Sequence, residues 1–250
     1  KKNKNHAICQ LISGGEYGAY VKDNNITLFN LEVKRSIPDI FVLYRLYNFI
    51  KNFKPDIIHS WMYHASLIEA ILRKIVINHN IPLVWGIRCS DMDTSHYSKQ
   101  LKIVIKACKY FSDTPNIIVN NSKTGGIFHK SIGFKSKHIT IFNGIDTNLF
   151  RPHHESKIKF RRKFNIAMDI KVLLCVARYD PMKDHVTLIN TFIKLRKFYP
   201  EIVLIFAGTG TENIDINEGV IKLGAYSNIE EVYASSDIII SSSAFGEGFS

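Results

Sequence analysis

The amino-acid sequence predicts an α/β protein built on parallel sheets, and three observations carry that reading. Short β-branched runs recur along the 250 residues, most of them apolar throughout rather than alternating, as strands covered on both faces do. Between them lie stretches with apolar residues at three- and four-residue spacing, the mark of helices with one buried side. Apolar residues make up 46% of the chain, enough for a sizeable core and too many for a disordered one.

Taken in order, strands are expected at 7–12, 57–61, 83–87, 116–119 and 139–142, and then at 172–177, 202–207, 220–223 and 238–241. Helices are expected at 39–53, where Ile40, Leu43, Tyr47 and Ile50 recur at helical spacing, and at 65–77, 99–111, 123–132, 185–198 and 229–234. Strand–helix alternation of this kind gives parallel sheets. Asn143-Gly144 is a turn signal, Phe150-Arg151-Pro152 ends regular structure, and 157–164 reads as a short basic helix. The chain is therefore divided into a first domain at 1–150, a connector at 151–165 and a second domain at 166–250.

Composition excludes several classes. The longest purely apolar runs, 172–177 among them, are far short of the roughly 20 residues of a membrane-spanning helix. No secretory pattern precedes the strand at 7–12. The four cysteines, Cys9, Cys89, Cys108 and Cys175, show no CxxC pairing, so neither a disulfide framework nor a zinc ribbon is indicated. They read as reduced core thiols, and the location expected is cytoplasmic. The net charge of +11 is unevenly spread: residues 1–165 carry +15 and residues 166–250 carry −4. Codon bias would spread the excess evenly, so the first half is expected to present a positive face.

In parallel α/β sheets ligands bind beyond the carboxyl ends of the strands. In the second half the run at 172–177 leads into Arg178-Tyr179-Asp180-Pro181-Met182-Lys183-Asp184, with a helix to follow, and the run at 202–207 leads into Gly208-Thr209-Gly210. The last run leads into Ser242-Ser243-Ala244-Phe245-Gly246-Glu247-Gly248-Phe249-Ser250. Arg178 and Lys183 flank one loop at a helix start, where they can hold the charge that grows on a departing diphosphate; the plainer reading is two solvated cations. Gly208 and Gly210 permit close backbone approach to a nucleotide, or simply make a strand-to-helix turn. Glu247, between two glycines, can accept hydrogen bonds from sugar hydroxyls, or sit in a turn.

The ordered set of motifs resembles the family 4 glycosyltransferases, retaining enzymes of the GT-B architecture with two Rossmann-like domains. The matching segments are Asn143-Gly144-Ile145-Asp146 with Phe150 and Pro152; Val176-Ala177-Arg178 with Lys183-Asp184; Ala207-Gly208-Thr209-Gly210; Tyr233-Ala234 with Asp237 and Ser241; and Glu247-Gly248-Phe249. In the first half, Pro55-Asp56-Ile57-Ile58-His59, Trp61-Met62-Tyr63-His64-Ala65, Trp85-Gly86-Ile87-Arg88 and Asn121-Ser122 fit the same register. The resemblance implies that Arg178 and Lys183 hold the donor diphosphate and that Glu247 contacts the donor sugar. It further implies that Gly248, Phe249 and Ser250 lie along sugar and diphosphate, and Gly208 and Gly210 near the base. The donor implied is a nucleotide-diphosphate sugar, taken as a UDP-sugar, with no metal or other cofactor; Asp91-Met92-Asp93 has a metal-binding spelling but stands in the acceptor half. Where many members carry a His after the strand at 83–87, this chain has Arg88; with His59 and His64 it forms the acceptor-side candidates. An opening strand with a glycine-rich loop is implied ahead of 7–12, with Gly14-Gly15-Glu16-Tyr17-Gly18 resembling a later segment, and a second Glu beyond Ser250. Both domains are accordingly expected to be incomplete.

The activity implied is transfer of a sugar, with retention, onto a glycan or lipid-linked acceptor in cell-surface polysaccharide or glycolipid synthesis. The +15 of the first half adds an anionic membrane face as partner, with peripheral attachment at its inner side. Two rivals remain open. A dinucleotide-dependent oxidoreductase needs GxGxxG directly after the first strand of a half, which neither 7–12 nor 172–177 provides. A basic nucleic-acid-binding module lacks a recognised motif or an aromatic-interleaved basic stripe, so nucleic acid is not expected as a partner.

Overall fold

The computed structural model of the chain describes residues 5–14, 17–33, 40–75, 81–91, 95 and 97–248. Phe249, Ser250, Gly15, Glu16, Met92 and Asp93 lie outside the described residues, as do the first residue of the helix expected at 39–53 and the last two of that at 65–77. The chain divides into two compact units, Lys1–Arg88 with Ser98–Ile141, and Cys89–Tyr97 with Phe142–Ser250.

The first unit begins with β1 (Ala7–Gln10), α1 (Gly18–Asp23) and β2 (Thr27–Asn30), whose two strands pair in parallel. It continues through α2 (Ile40–Phe53), β3 (Ile58–Trp61), α3 (Met62–Ile75), β4 (Leu83–Ile87), α4 (Lys99–Tyr110), β5 (Ile117–Asn120), α5 (Lys123–Ser131) and β6 (His138–Thr140). The strands β3-β4-β5-β6 form one parallel sheet in sequence order. Its consecutive neighbours are joined through α3, α4 and α5, the strand–helix–strand connection that parallel pairing requires. Val42, Leu46 and Ile50 of α2 meet Ile68 and Leu72 of α3 around Leu31. Trp85 in β4 is wholly buried with Phe134 edge-on to its ring. The sequence did not announce α1 or β2: α1 buries a single residue, Val21, and β2 is four residues with none buried, so neither leaves a periodic apolar trace.

One charged group in this unit is buried without full compensation. Glu69 of α3 is 3% exposed and its Oε2 has no hydrogen-bond partner. Burial pushes its carboxyl from the ordinary 4.5 up to about 7, against the pull of Arg73 one turn on. From pH 4.5 to 7 the folded chain keeps a proton that the unfolded chain has lost, so stability falls as pH rises through that window. Glu69→Gln should leave stability at pH 4 unchanged and raise it at pH 8 by on the order of 3 kcal/mol. Urea unfolding at both pH values checks this; an equal effect at both would refute it.

The second unit contains α6 (His154–Lys163), β7 (Val172–Val176), α7 (His185–Arg196), β8 (Val203–Ala207), β9 (Val220–Lys222), α8 (Ile229–Ser235) and β10 (Ile238–Ile239). Its sheet is parallel throughout, in the order β10-β7-β8-β9. Successive residues of β7 enter opposite cores: Leu173 and Cys175 pack with Leu188 and Phe192 of α7, Val172 and Leu174 with Phe160 of α6 and Val232 of α8. Both faces are covered, which is why the strand reads as an unbroken apolar run.

Basic α6 is pinned into this unit by its most buried charge. The Arg161 side chain is 0% exposed; its guanidinium donates to the carbonyls of Ser235, Ala167, Met168 and Ile170 and, at 2.7 Å, to Asp237 Oδ2. Asp237 also accepts from the Val172 N–H and from Lys157. Burial alone would raise its carboxyl, but the Val172, Lys157 and Arg161 hydrogen bonds bring it down to about 2. All four cysteines are free, with Cys89, Cys108 and Cys175 buried and Cys9 half-buried.

Candidate active site

The strand order β10-β7-β8-β9 contains a reversal. From β7 the chain steps through α7 to β8 and on to β9, then returns through α8 to β10 on the other side of β7. The carboxyl ends of β7 and β10 therefore flank a topological switch point, where open α/β sheets leave a crevice for ligands. The segments emerging there are 177–184 after β7 and 240–248 after β10. They carry Arg178, Lys183, Glu247 and Gly248.

Local chemistry shapes the first segment. Asp180 caps a 3-10 turn, Pro181–Lys183, by accepting from the Met182 N–H at 2.9 Å. Asp184 follows in the left-handed region (φ 44°), where a non-glycine residue is under strain, and caps α7 by accepting from the Thr187 N–H at 3.1 Å. The second segment is fastened to the first: Ser242 Oγ donates to the Lys183 carbonyl at 2.7 Å and the Ala244 N–H to the Met182 carbonyl at 2.9 Å.

The two cations are brought together with two carboxylates. Arg178, with 58% of its side chain exposed, donates from Nε (3.2 Å) and Nη2 (3.1 Å) to the same oxygen of Asp180, Oδ2. Lys183, with 16% exposed, donates to Glu247 Oε1, which also accepts from Ser243 Oγ at 3.2 Å. Burial works against the Asp180 carboxylate, yet the Met182 N–H and the Arg178 guanidinium hold its carboxyl below the usual range. The Cys89–Tyr97 segment, part of this same unit, completes the shell. Ser90 donates its N–H to the Gly246 carbonyl at 3.1 Å and its Oγ to the Glu247 carbonyl, and Cys89 and Glu247 form an antiparallel bridge. Tyr97 donates its hydroxyl to Asp180 Oδ1 at 3.2 Å and stands edge-on to Phe245.

Gly208 is required by the fold itself. At φ 144° a Cβ there would lie 2.3 Å from the Ala177 carbonyl oxygen, so only glycine lets β7 and β8 end side by side. Gly210 (φ 89°) closes on Tyr179 in the same turn. Sequence reasoning missed Asp180, Tyr97, Ser90 and Ser243; of these only Asp180 had a local signal, as the residue before Pro181.

In the first unit the carboxyl ends of β3 and β4 gather a second cluster. Half-exposed Trp61 stacks near His59, ring centroids 4.9 Å apart, and the Arg88 guanidinium lies over the Trp61 ring at 4.8 Å. Burial and the Arg88 charge lower the His59 pKa. Met62, at φ 63°, turns the chain sharply into α3, and its Sδ receives the Arg88 N–H at 3.4 Å. His64 is not part of this cluster; it sits on the exposed side of α3. Among the described residues no three His, Cys, Asp or Glu side chains gather as a metal-holding group.

Comparison with known proteins bears on the fold and the family. Residues 13–149 match the family model for Glycosyltransferase Family 4, and residues 156–250 that for Glycosyl transferases group 1. An uncharacterised glycosyltransferase of Methanocaldococcus jannaschii is 26% identical over 221 residues, covering 84% of this chain and 54% of that protein. The chain thus spans about half the length of the curated relative it matches. Among solved structures, Anabaena HepE in complex with UDP and glucose superposes with a TM-score of 0.76 at 19% identity, covering 97% of this chain and 68% of HepE. Sucrose-phosphate synthase from Thermosynechococcus elongatus gives 0.74 at 13% identity, covering 98% and 76%. Two parallel-sheet α/β units with these neighbours define a protein of the GT-B fold class. Within it, the chain belongs to glycosyltransferase family 4, whose model accounts for more than half of its residues.

Proposed function

We propose that the protein transfers a sugar, with retention at the anomeric carbon, from a nucleotide-diphosphate sugar onto a glycan or lipid-linked acceptor. The observation that carries this reading is the pair Arg178 and Lys183 at the switch point between β7 and β10, beside the start of α7. Two cations and a helix N-terminus suit a diphosphate better than any neutral ligand. Nε and Nη2 of Arg178 each donate one hydrogen to Asp180, and the guanidinium has five N–H donors in all, so the fork has further donors to offer a phosphate.

As the bond from the anomeric carbon to the β-phosphate oxygen breaks, negative charge grows on the diphosphate, and Arg178 and Lys183 stabilise it. The acceptor hydroxyl attacks from the same face, and its proton passes to the departing phosphate oxygen as the new glycosidic bond forms. Glu247, held by Lys183 and Ser243, turns its second oxygen to the hydroxyls of the donor sugar. We assign Gly248 to the sugar and diphosphate and Gly208 and Gly210 to the base; Phe249 and Ser250, expected beside Gly248, lie outside the described residues. No metal enters this scheme, because the two cations supply the positive charge. A UDP-sugar is the donor best supported, since HepE was solved with UDP and glucose. On the acceptor side we assign His59 and Arg88, and His64 on the exposed side of α3. Incubation with UDP-, GDP- and ADP-sugars, with released nucleoside diphosphate measured, tests the reading; absence of release from every donor in the presence of cell-envelope acceptors would overturn it.

A specific surface favours peripheral attachment to an anionic membrane at its inner face, in cell-surface polysaccharide or glycolipid synthesis. On α4, Lys99, Lys102, Lys106 and Lys109 share one exposed face with Ile103 and Tyr110, and α5 exposes Lys123, Ile127 and Lys130. None of these lysines forms an ion pair among the described residues, and no described helix is long and apolar enough to cross a membrane. Basic residues near an anionic bilayer contribute about 1 kcal/mol each. Sedimentation with vesicles should therefore increase with phosphatidylglycerol content, and indifference to it would remove this part of the proposal.

A further inference from the structure

Arg178 is the more exposed of the two donor cations, and an exposed arginine samples many rotamers unless something holds it. Two residues outside the family motifs do so here. Asp180 takes Nε and Nη2 of Arg178 on one carboxylate oxygen, Oδ2, and thereby fixes the plane of the guanidinium. Its other oxygen, Oδ1, is held from two sides, by the Met182 N–H at 2.9 Å and by the Tyr97 hydroxyl at 3.2 Å. The Tyr97 ring is in turn set by its edge-on contact with Phe245. A chain of contacts thus runs from Phe245 through Tyr97 and Asp180 to Arg178, all within one unit.

We infer that Tyr97 and Asp180 are positioning residues for the donor diphosphate, orienting the Arg178 fork so that Nη1 meets a phosphate oxygen. This rests on the donor reading above and deepens it. Asp180 acts in two opposed ways, since its negative charge also offsets part of the attraction between Arg178 and a diphosphate. The Tyr97 hydroxyl carries no charge, so its removal isolates the orienting effect. Tyr97→Phe keeps the ring against Phe245 and deletes only the hydrogen bond to Asp180.

The experiment is calorimetric titration of the protein with UDP, on wild type, Tyr97→Phe, Arg178→Ala and the double variant, with the melting temperature of each recorded. Wild type should bind UDP, and Tyr97→Phe should bind about 3- to 10-fold more weakly at an unchanged melting temperature. On the Arg178→Ala background the Tyr97 substitution should have no further effect, because the side chain it orients is gone. A purely structural tyrosine would weaken binding equally on both backgrounds, and that result would overturn the inference. So would unchanged affinity in Tyr97→Phe. Failure of wild type to bind UDP, GDP and ADP alike would instead defeat the donor reading, and this inference with it.

Discussion

Arg178→Ala is expected to lower turnover of the preferred nucleotide sugar by on the order of 10²-fold or more, the scale for removing one preorganised charge stabiliser from a transition state. The reason is differential. In the bound donor the diphosphate charge is shared with the sugar bond, whereas at the transition state that bond is largely broken and the charge has moved onto the phosphate oxygens. A guanidinium placed there therefore contributes more to the transition state than to the ground state, and its loss falls mainly on kcat. Misfolding is a poor explanation for such a loss, because Arg178 is 58% exposed and its pair with Asp180 is of the surface kind, worth about 0–1 kcal/mol. Arg178→Lys should keep part of the charge and lose the fork that grips Asp180 and a phosphate together, so it should fall between the two. Steady-state kinetics with unchanged melting temperatures check both. Wild-type turnover in Arg178→Ala would remove Arg178 from the chemistry and leave the switch-point cations as ordinary surface charges.

How far the sequence foretold this molecule differs between its parts for physical reasons. The strands at 83–87 and 172–177 were legible because each is buried on both faces, which only an unbroken apolar run can satisfy. The ends were less so. The run at 238–241 yields two residues of strand, Ile238–Ile239, because the segment from 240 onward binds back through Ser242 and Ala244 to Lys183 and Met182. The run at 139–142 stops at Thr140, since Ile141 and Phe142 are exposed and apolar character there does not signal burial. At the site, Arg178, Lys183 and Glu247 were singled out because each follows a strand of a parallel sheet. Their roles came only from the family resemblance, and the structure pairs them with Asp180 and with each other. Their partners could not be singled out in this way. Tyr97 meets Asp180 across 83 residues and Ser90 meets Glu247 across 157, and no local pattern encodes such a pairing. Gly208 was read as room for a ligand, and the structure supplies a second, sufficient reason in the Ala177 carbonyl that any Cβ would strike.

The basic helix α6 shows how a residue that reads as surface charge can be wholly enclosed and held by its unit. Arg161→Ala is expected to cost about 3–5 kcal/mol, the range for breaking a buried charge pair from one side. Its guanidinium, 0% exposed, serves four carbonyls and Asp237, so truncation removes the donor shared by the Ser235, Ala167, Met168 and Ile170 carbonyls, while Asp237, 21% exposed, keeps only Val172 and Lys157. Set against a total stability of about 5–15 kcal/mol, that is a large fraction, and it corresponds to a drop of roughly 6–20 °C in melting temperature. Lys159, two residues earlier, is the internal control. It carries the same charge on the same helix and pairs with Glu231 at 3.1 Å, but its side chain is 76% exposed, so Lys159→Ala should stay within about 1 kcal/mol of wild type. If the positive charge of α6 mattered only through the general field of the unit, the two substitutions would act alike. If enclosure and hydrogen-bond geometry decide, they will differ several-fold, and Arg161→Lys will recover little, because a single ammonium cannot reach acceptors that a planar fork satisfies together. Thermal melts of the three variants separate the alternatives, and equal shifts in Arg161→Ala and Lys159→Ala would refute the enclosed-network account.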